Sequence, residues 1–230
     1  MLHTLFIMKD VNTTVVIDIR GKTEDELFKR IEYSRRKNIQ KAKRSGLHSE
    51  ETNSEEDYRK CYKMYAEVIR SGGSTPFTYE VWKKWADEEK WDLFAIKKGS
   101  VTVGYFSVIK ITKRYYGIDS DEAGVRPRVF ASDKNYSDDR VNDFIYWSTI
   151  LYGLKKKANY VDLGGYQLKP RGHLKGVNRF KEQWGGEVFL YYLNYLWYVA
   201  IARKLIRNVG LFWYLNEFIK KFRQKPPKTF

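Results

Sequence analysis

The sequence predicts an α/β (α+β) fold: a mixed sheet flanked by helices, with a C-terminal amphipathic helical tail. Three observations carry this expectation. Short β-branched and alternating runs recur along the chain, from TVVIDIR at 14–20 to the aromatic run at 187–193. A long segment with an apolar face, 138–158, stands between two such runs and reads as a parallel crossover. Apolar residues make up 43% of the 230, enough to bury a core.

Taken in order, the strand at 14–20 is followed by a helix opening at Thr23, where Glu26 completes a capping box. Leu27 and Ile31 point inward, and the helix runs on through RRKNIQKAKR to a stop at Gly46. Ser54 caps the next helix, whose Tyr58, Cys61, Tyr62, Tyr65, Val68 and Ile69 fall on one face. Arg70 closes it before Gly72 and Gly73. A third helix covers 78–89, with Val81, Trp82 and Trp85 on its buried side. A meander follows at 93–97, 101–111, 115–118 and 129–132. The helix at 138–158 turns Val141, Phe144, Ile145, Ser148 and Leu151 to the sheet. Then come a strand at 160–163, a short helix at Gly176 and a last strand at 187–193. The tail, 195–221, reads as two amphipathic helices split at Gly210, and no internal repeat is visible.

Composition narrows the classes. Cys61 alone cannot form an internal disulfide and reads as a buried thiol of a reducing compartment. His3, His48 and His173 are too scattered to suggest a metal site. Neither a signal peptide nor a run of ~20 apolar residues is apparent, so the expectation is a cytoplasmic protein. The net charge of +15 points to a polyanionic partner: nucleic acid, a nucleotide-linked substrate or an anionic membrane face.

Two segments concentrate that charge. Arg35, Arg36, Lys37, Lys41, Lys43 and Arg44 crowd one short helix, and such a set repels itself unless phosphates or solvent neutralise it. In the tail, the stripe of Leu211, Phe212, Leu215, Phe218, Ile219 and Phe222 precedes Lys220, Lys221, Arg223, Lys225 and Lys228. That pattern fits a helix lying in a membrane interface, at the inner face, or equally one packed on the protein's own core or on a partner subunit.

Chemistry, if present, is expected around NYVDLGGY and GVNRFKEQWGG. Asp162 ends a strand at a carboxyl edge, where open α/β sheets bind ligands. It either orients or deprotonates an incoming amine, or caps the following turn. Gly164 and Gly165 either let backbone approach a substrate or simply make that turn.

This order of segments resembles the GNAT-fold domain of the FemAB-like peptidyltransferases, which add amino acids from aminoacyl-tRNA to peptidoglycan precursors. The resemblance runs through VIDIRGKTEDEL, RRKNIQKAKRSGL, the Tyr-rich helix ending at Arg70, NDFIYWSTILYGLKKKANYVDLGGY and GVNRFKEQWGG. It implies that 1–46 corresponds to the end of a first GNAT domain and 47–194 to the second, with 195–230 a basic tail. Part of the usual acceptor cleft is then absent or supplied by a partner subunit. It also implies a role for Lys181, as the cation beside the reacting carbonyl, where an oxyanion-stabilising donor is worth about 3 kcal/mol. Phe180 beside it is either a channel wall or a core aromatic. Arg70 is either a grip on an anionic acceptor or a cation favoured at a helix end. No bound cofactor or metal is implied. The donor is aminoacyl-tRNA or acyl-CoA, and the lack of an Arg/Gln-x-x-Gly-x-Gly/Ala turn before residue 138 favours tRNA; Arg126-Pro127-Arg128 is no substitute. A non-catalytic module binding RNA or membrane through the basic segments is the reading from a different class.

Overall fold

The computed structural model describes residues 7–113, 121–172 and 174–196. Strand β1 (Ile7–Asp18) is followed by helices α1 (Glu24–Arg30) and α2 (Tyr33–Arg44) and by strand β2 (Leu47–Thr52). Helices α3 (Glu55–Ser71) and α4 (Tyr79–Glu88) lead into the meander β3 (Asp92–Lys98), β4 (Val101–Thr112) and β5 (Ala123–Ser132). Then come α5 (Val141–Lys155), β6 (Tyr160–Gly165), α6 (Leu174–Glu182) and β7 (Glu187–Leu196). The strands form one seven-stranded sheet in the order β2-β3-β4-β5-β6-β1-β7. The predicted α/β fold with a mixed sheet is therefore present. The expected strand at 115–118 and the helices expected beyond residue 196 lie outside the described residues.

The chain divides into two compact units, Thr13–Leu190, and Met1–Asn12 together with Tyr191–Phe230. The first contains the six α-helices of the described residues and their hydrophobic core. In the second, the described residues are the N-terminal part of β1 and the C-terminal part of β7. The core gathers Val15 and Ile17 of the first strand, Ile19 just after it, Leu27 and Ile39 of the first two helices, and much of α5. Residues 13–46 thus share the core of the segments that follow them.

Local signals act as expected at the helix starts. Thr23 and Glu26 form the capping box, and the Ser54 hydroxyl accepts from the Asp57 amide. The basic helix departs from expectation. Instead of one helix from Thr23, the chain adopts extended backbone at Ile31, which is buried, and the Glu32 amide donates to the Gln183 carbonyl at 3.0 Å. A tertiary anchor and a hydrogen bond to a distant segment outweigh helix continuity here. Strand β2 is not foreshadowed by its sequence either. LHSEET buries only Leu47, and the strand is held by pairing with β3 and by cross-strand charges such as Glu50 with Lys97, the dress of an edge strand.

The feature that positions the site is the crossover. Strands β5 and β6 run parallel, joined by α5, and pair only at Gly124↔Tyr160 and Val125↔Val161. On its other side β6 pairs antiparallel with β1, with a register shift between Thr14 and Val16. No described helix is long and apolar enough to cross a membrane.

Candidate functional site

Just past the last paired residues of β5 and β6 stand Arg126 and Asp162. Asp162 is wholly buried. Its Oδ1 accepts from the Gly164 amide at 2.7 Å and from the Thr14 hydroxyl, and its Oδ2 pairs with Arg126 Nη1 at 3.1 Å. Thr14 reaches it because the irregularity in β1 falls at that point. Asp162 therefore does cap the turn after β6, and it also anchors a guanidinium from the neighbouring strand.

That turn needs a glycine. Gly164 has φ +83°, and a Cβ there would sit 3.6 Å from Lys181 Nζ and 3.7 Å from Arg126 Nη2. Those are ordinary contact distances, so it is the positive φ, and not a lack of space, that calls for glycine there. Lys181, 7% exposed, donates from Nζ to the Gly165 carbonyl at 2.7 Å, its one hydrogen bond among the described residues. An ammonium carries three donors, so two remain for a substrate oxygen. Burial pulls the Lys181 ammonium down to about 8, Asp162 opposes that shift, and Arg126 adds to it.

Helix α6 is tied to the segment after β6 by three side chains on one face. Asn178 holds both Gln167 backbone groups, accepting from its N–H at 3.1 Å and donating to its carbonyl at 2.7 Å. Lys181 takes Gly165, and Glu182 accepts from the Tyr166 hydroxyl at 2.5 Å. The i, i+3, i+4 spacing puts these three residues over one another on the helix. Behind them, Phe180 and Trp184 pack against Tyr146 of α5, with ring centroids 4.9 and 5.3 Å away, and Tyr146 stacks on Phe130 of β5.

The structure thus brings Lys181, Asp162, Gly164 and Gly165 together and adds Arg126, Thr14 and Asn178, which sequence reasoning misses. In the sequence Arg126 counts only as a poor phosphate turn, yet its place one residue past the end of the ladder is what matters. Phe180 is engaged by the protein itself, in the aromatic stack and under the Arg35 guanidinium at 4.9 Å, so it is a core aromatic. Arg70 lies exposed in the last turn of α3 and forms no ion pair among the described residues.

The basic helix sorts into two kinds of cation. Arg35 turns inward and pairs with buried Asp143 at 2.8 Å, an acceptor shared with Asn38. It is a structural cation, and its place in the expected polyanion-binding set is corrected accordingly. Lys43 pairs with Glu24 at 3.5 Å and lies over Trp147. Arg36, Lys37, Lys41 and Arg44 have no acidic partner among the described residues, and Arg36 and Lys37 flank Tyr33, which is 66% exposed. Tyr33, Arg36, Lys37, Lys41 and Arg44 follow i+3/i+4 spacing along one outer stripe of α2. Among the described residues no three His, Cys, Asp or Glu side chains gather as metal ligands. Cys61 is buried, with its thiol pushed up by desolvation.

No protein-family model matches the chain, and no curated protein matches it by sequence. Solved structures do match in shape. FemX superposes with a TM-score of 0.67 at 13% identity, over 84% of this chain and 63% of FemX. L-PGS from Bacillus licheniformis gives 0.56 at 13%, over 82% and 61%. The C-terminal domain of a putative lysylphosphatidylglycerol synthetase from Agrobacterium fabrum gives 0.52 at 10%, over 82% and 61%. The chain spans less than two thirds of each of these. It shares its fold with these proteins.

Proposed function

We propose that this chain is an acyltransferase that moves an aminoacyl group from aminoacyl-tRNA onto an amine of an anionic, peptidoglycan-type precursor. The observation that carries the reading is the buried Lys181 ammonium at the gap between β5 and β6, held by Gly165 and set beside Arg126 and Asp162, in a fold shared with FemX and L-PGS.

Attack of an amine on an aminoacyl ester builds negative charge on the carbonyl oxygen. A desolvated, fixed ammonium stabilises that charge far more than it stabilises the neutral ester, which is what lowers a barrier. With its pKa brought to about 8, Lys181 is mostly protonated at neutral pH and so present as the cation. Collapse of the tetrahedral intermediate forms the amide and releases the tRNA 3′-oxygen, with the proton lost by the amine going to that oxygen or to water. No covalent enzyme intermediate is needed. Asp162 keeps Arg126 and the Gly164 turn in place, which fixes where Lys181 points. The outer stripe of Arg36, Lys37, Lys41 and Arg44 supports a phosphate-bearing donor.

The test follows a labelled amino acid from a charged-tRNA mixture onto amine-bearing cell-wall precursors, with Lys181→Ala as control. Transfer lost in Lys181→Ala, with tRNA affinity kept, supports the reading. Transfer that survives this substitution, or that proceeds from acyl-CoA and not from tRNA, overturns it.

A further inference from the structure

The stretch from Lys29 to Arg44 holds eight cations and one carboxylate, Glu32. Two of the cations are engaged, Arg35 by Asp143 and Lys43 by Glu24. Lys29, Arg30, Arg36, Lys37, Lys41 and Arg44 form no ion pair among the described residues. In the middle of this charge stands Tyr33, the first residue of α2. It is 66% exposed, more than any other large hydrophobic or aromatic side chain among the described residues. Arg36 and Lys37, one turn further on, lie 5.8 and 5.7 Å from its ring centroid. Both approach from that following turn, and the rest of the ring is open to solvent.

The helix that carries Lys181 fixes where this surface begins. The Glu32 amide donates to the Gln183 carbonyl at 3.0 Å, and the Arg35 guanidinium lies 4.9 Å from the Phe180 ring. Gly185 packs so closely on Arg30 that a Cβ there would come within 2.9 Å of the Arg30 carbonyl oxygen. The charged stretch therefore starts against the C-terminal turn of α6, and α2 carries it onward for about 17 Å.

Cations at i+3 and i+4 spacing suit a run of phosphates, and an open aromatic ring beside a guanidinium suits stacking with a planar base. A base can stack in this way only where its own face is free, in an unpaired strand and not inside a duplex. A lipid surface fits less well. An interfacial helix sinks an apolar face into the acyl boundary, whereas Ile39 and Ala42, the apolar residues of α2 besides Tyr33, are wholly buried in the protein's own core.

We propose that Tyr33 stacks on a base of unpaired RNA whose backbone follows the stripe of Arg36, Lys37, Lys41 and Arg44, and that this strand belongs to the donor tRNA. The identity of the RNA rests on the aminoacyl-transfer reading above; the surface itself is tested without turnover.

The probe is a short unstructured RNA oligonucleotide, with a blunt duplex of the same sequence beside it, and binding to the full chain is read by fluorescence anisotropy across a salt series. Tyr33→Ala is expected to weaken binding of the oligonucleotide about 10- to 100-fold and to leave the duplex nearly unchanged. Tyr33→Phe keeps the ring and should bind as the wild-type chain does. Stacking involves no charge, so the slope of log K against log salt should stay the same in Tyr33→Ala. The side chain is exposed, so neither substitution disturbs the core. Undetectable binding of the oligonucleotide by the wild-type chain, unchanged affinity in Tyr33→Ala, an equal loss on the duplex, or a Tyr33→Phe variant as weak as Tyr33→Ala overturns the proposal. So does a Tyr33→Ala variant that keeps its RNA affinity and loses binding to phosphatidylglycerol vesicles, which would make the surface a lipid contact. Tyr33-dependent binding with no transfer from charged tRNA sinks the transferase reading, and the RNA surface stands. Transfer with an unchanged KM for tRNA in Tyr33→Ala overturns the proposal and leaves the transferase reading in place.

Discussion

Arg126 and Asp162 are the first residues beyond the paired ends of two parallel strands, and their 3.1 Å ion pair bridges the strands where the backbone ladder stops. Asp162 is fully buried and Arg126 largely so, which makes the pair costly to break on one side only. Arg126→Ala leaves a buried carboxylate without its guanidinium and is expected to cost about 3–5 kcal/mol. Asp162→Asn in the same background should recover part of that loss, a coupling that urea unfolding of the two single variants and the double variant would measure.

Lys181 links stability to pH. Its ammonium sits at about 8 in the folded chain, chiefly through burial, against an unfolded value near 10.5. Below pH 8 the lysine is protonated in both states, and the penalty for burying its charge is present in full. Between about 8 and 10.5 the unfolded chain holds the proton that the folded chain has lost, so stability rises with pH across that window. The full span is about 3 kcal/mol. Lys181→Met should abolish this rise, and its advantage over wild type should be largest below pH 8. Chemical unfolding at a series of pH values would check both, and a ¹³Cε resonance of Lys181 titrating near 10.5 instead of 8 would refute the premise.

How far this site can be read from sequence depends on how far apart its parts lie in the chain. Asp162, Gly164, Gly165 and Lys181 belong to one strand-turn-helix run and are legible together. Arg126 and Thr14 come from other strands, and nothing local to RPR or TTVV says which residue ends a parallel ladder or where β1 slips its register. Asn178 carries only a weak signal, a polar residue one turn before Lys181 in a short helix. Six cations of one helix look alike in sequence, and only the burial of Asp143 separates Arg35 from its neighbours. The break between α1 and α2 is equally hidden, because its cause is the carbonyl of Gln183.

The turn after β6 depends on Asn178, which is buried and satisfies both backbone groups of Gln167. Asn178→Ala removes two hydrogen bonds of about 1 kcal/mol each. Asn178→Asp keeps the acceptor but sets a carboxylate against the Gln167 carbonyl, so it should be the worse of the two. Amide hydrogen exchange at Gln167 would report this locally, faster in both variants, while an unchanged rate in Asn178→Asp would show that the clamp does not hold the turn.

Gly124 offers a steric test of how Tyr160 is seated. A Cβ at this position would lie 2.3 Å from two ring atoms of Tyr160, so the enclosed ring or the backbone must give way. Gly124→Ala should cost about 1–3 kcal/mol through overpacking. Thermal unfolding would measure this loss.

The basic helix separates binding from folding. Arg35→Gln strands Asp143, whose carboxyl burial already pushes upward, and should destabilise the chain by about 3 kcal/mol or more. Replacing Arg36, Lys37, Lys41 and Arg44 with Gln removes only cations that no described acidic side chain neutralises, so stability should change by less than about 0.5 kcal/mol each. If the helix meets phosphates, tRNA affinity should fall, and the slope of log K against log salt should flatten by about 0.7–0.9 for each phosphate no longer neutralised. Filter binding of tRNA across a salt series, run beside unfolding curves for every variant, distinguishes the cases. An unchanged salt slope in the fourfold variant would take the polyanion off this helix, whatever happens to Arg35.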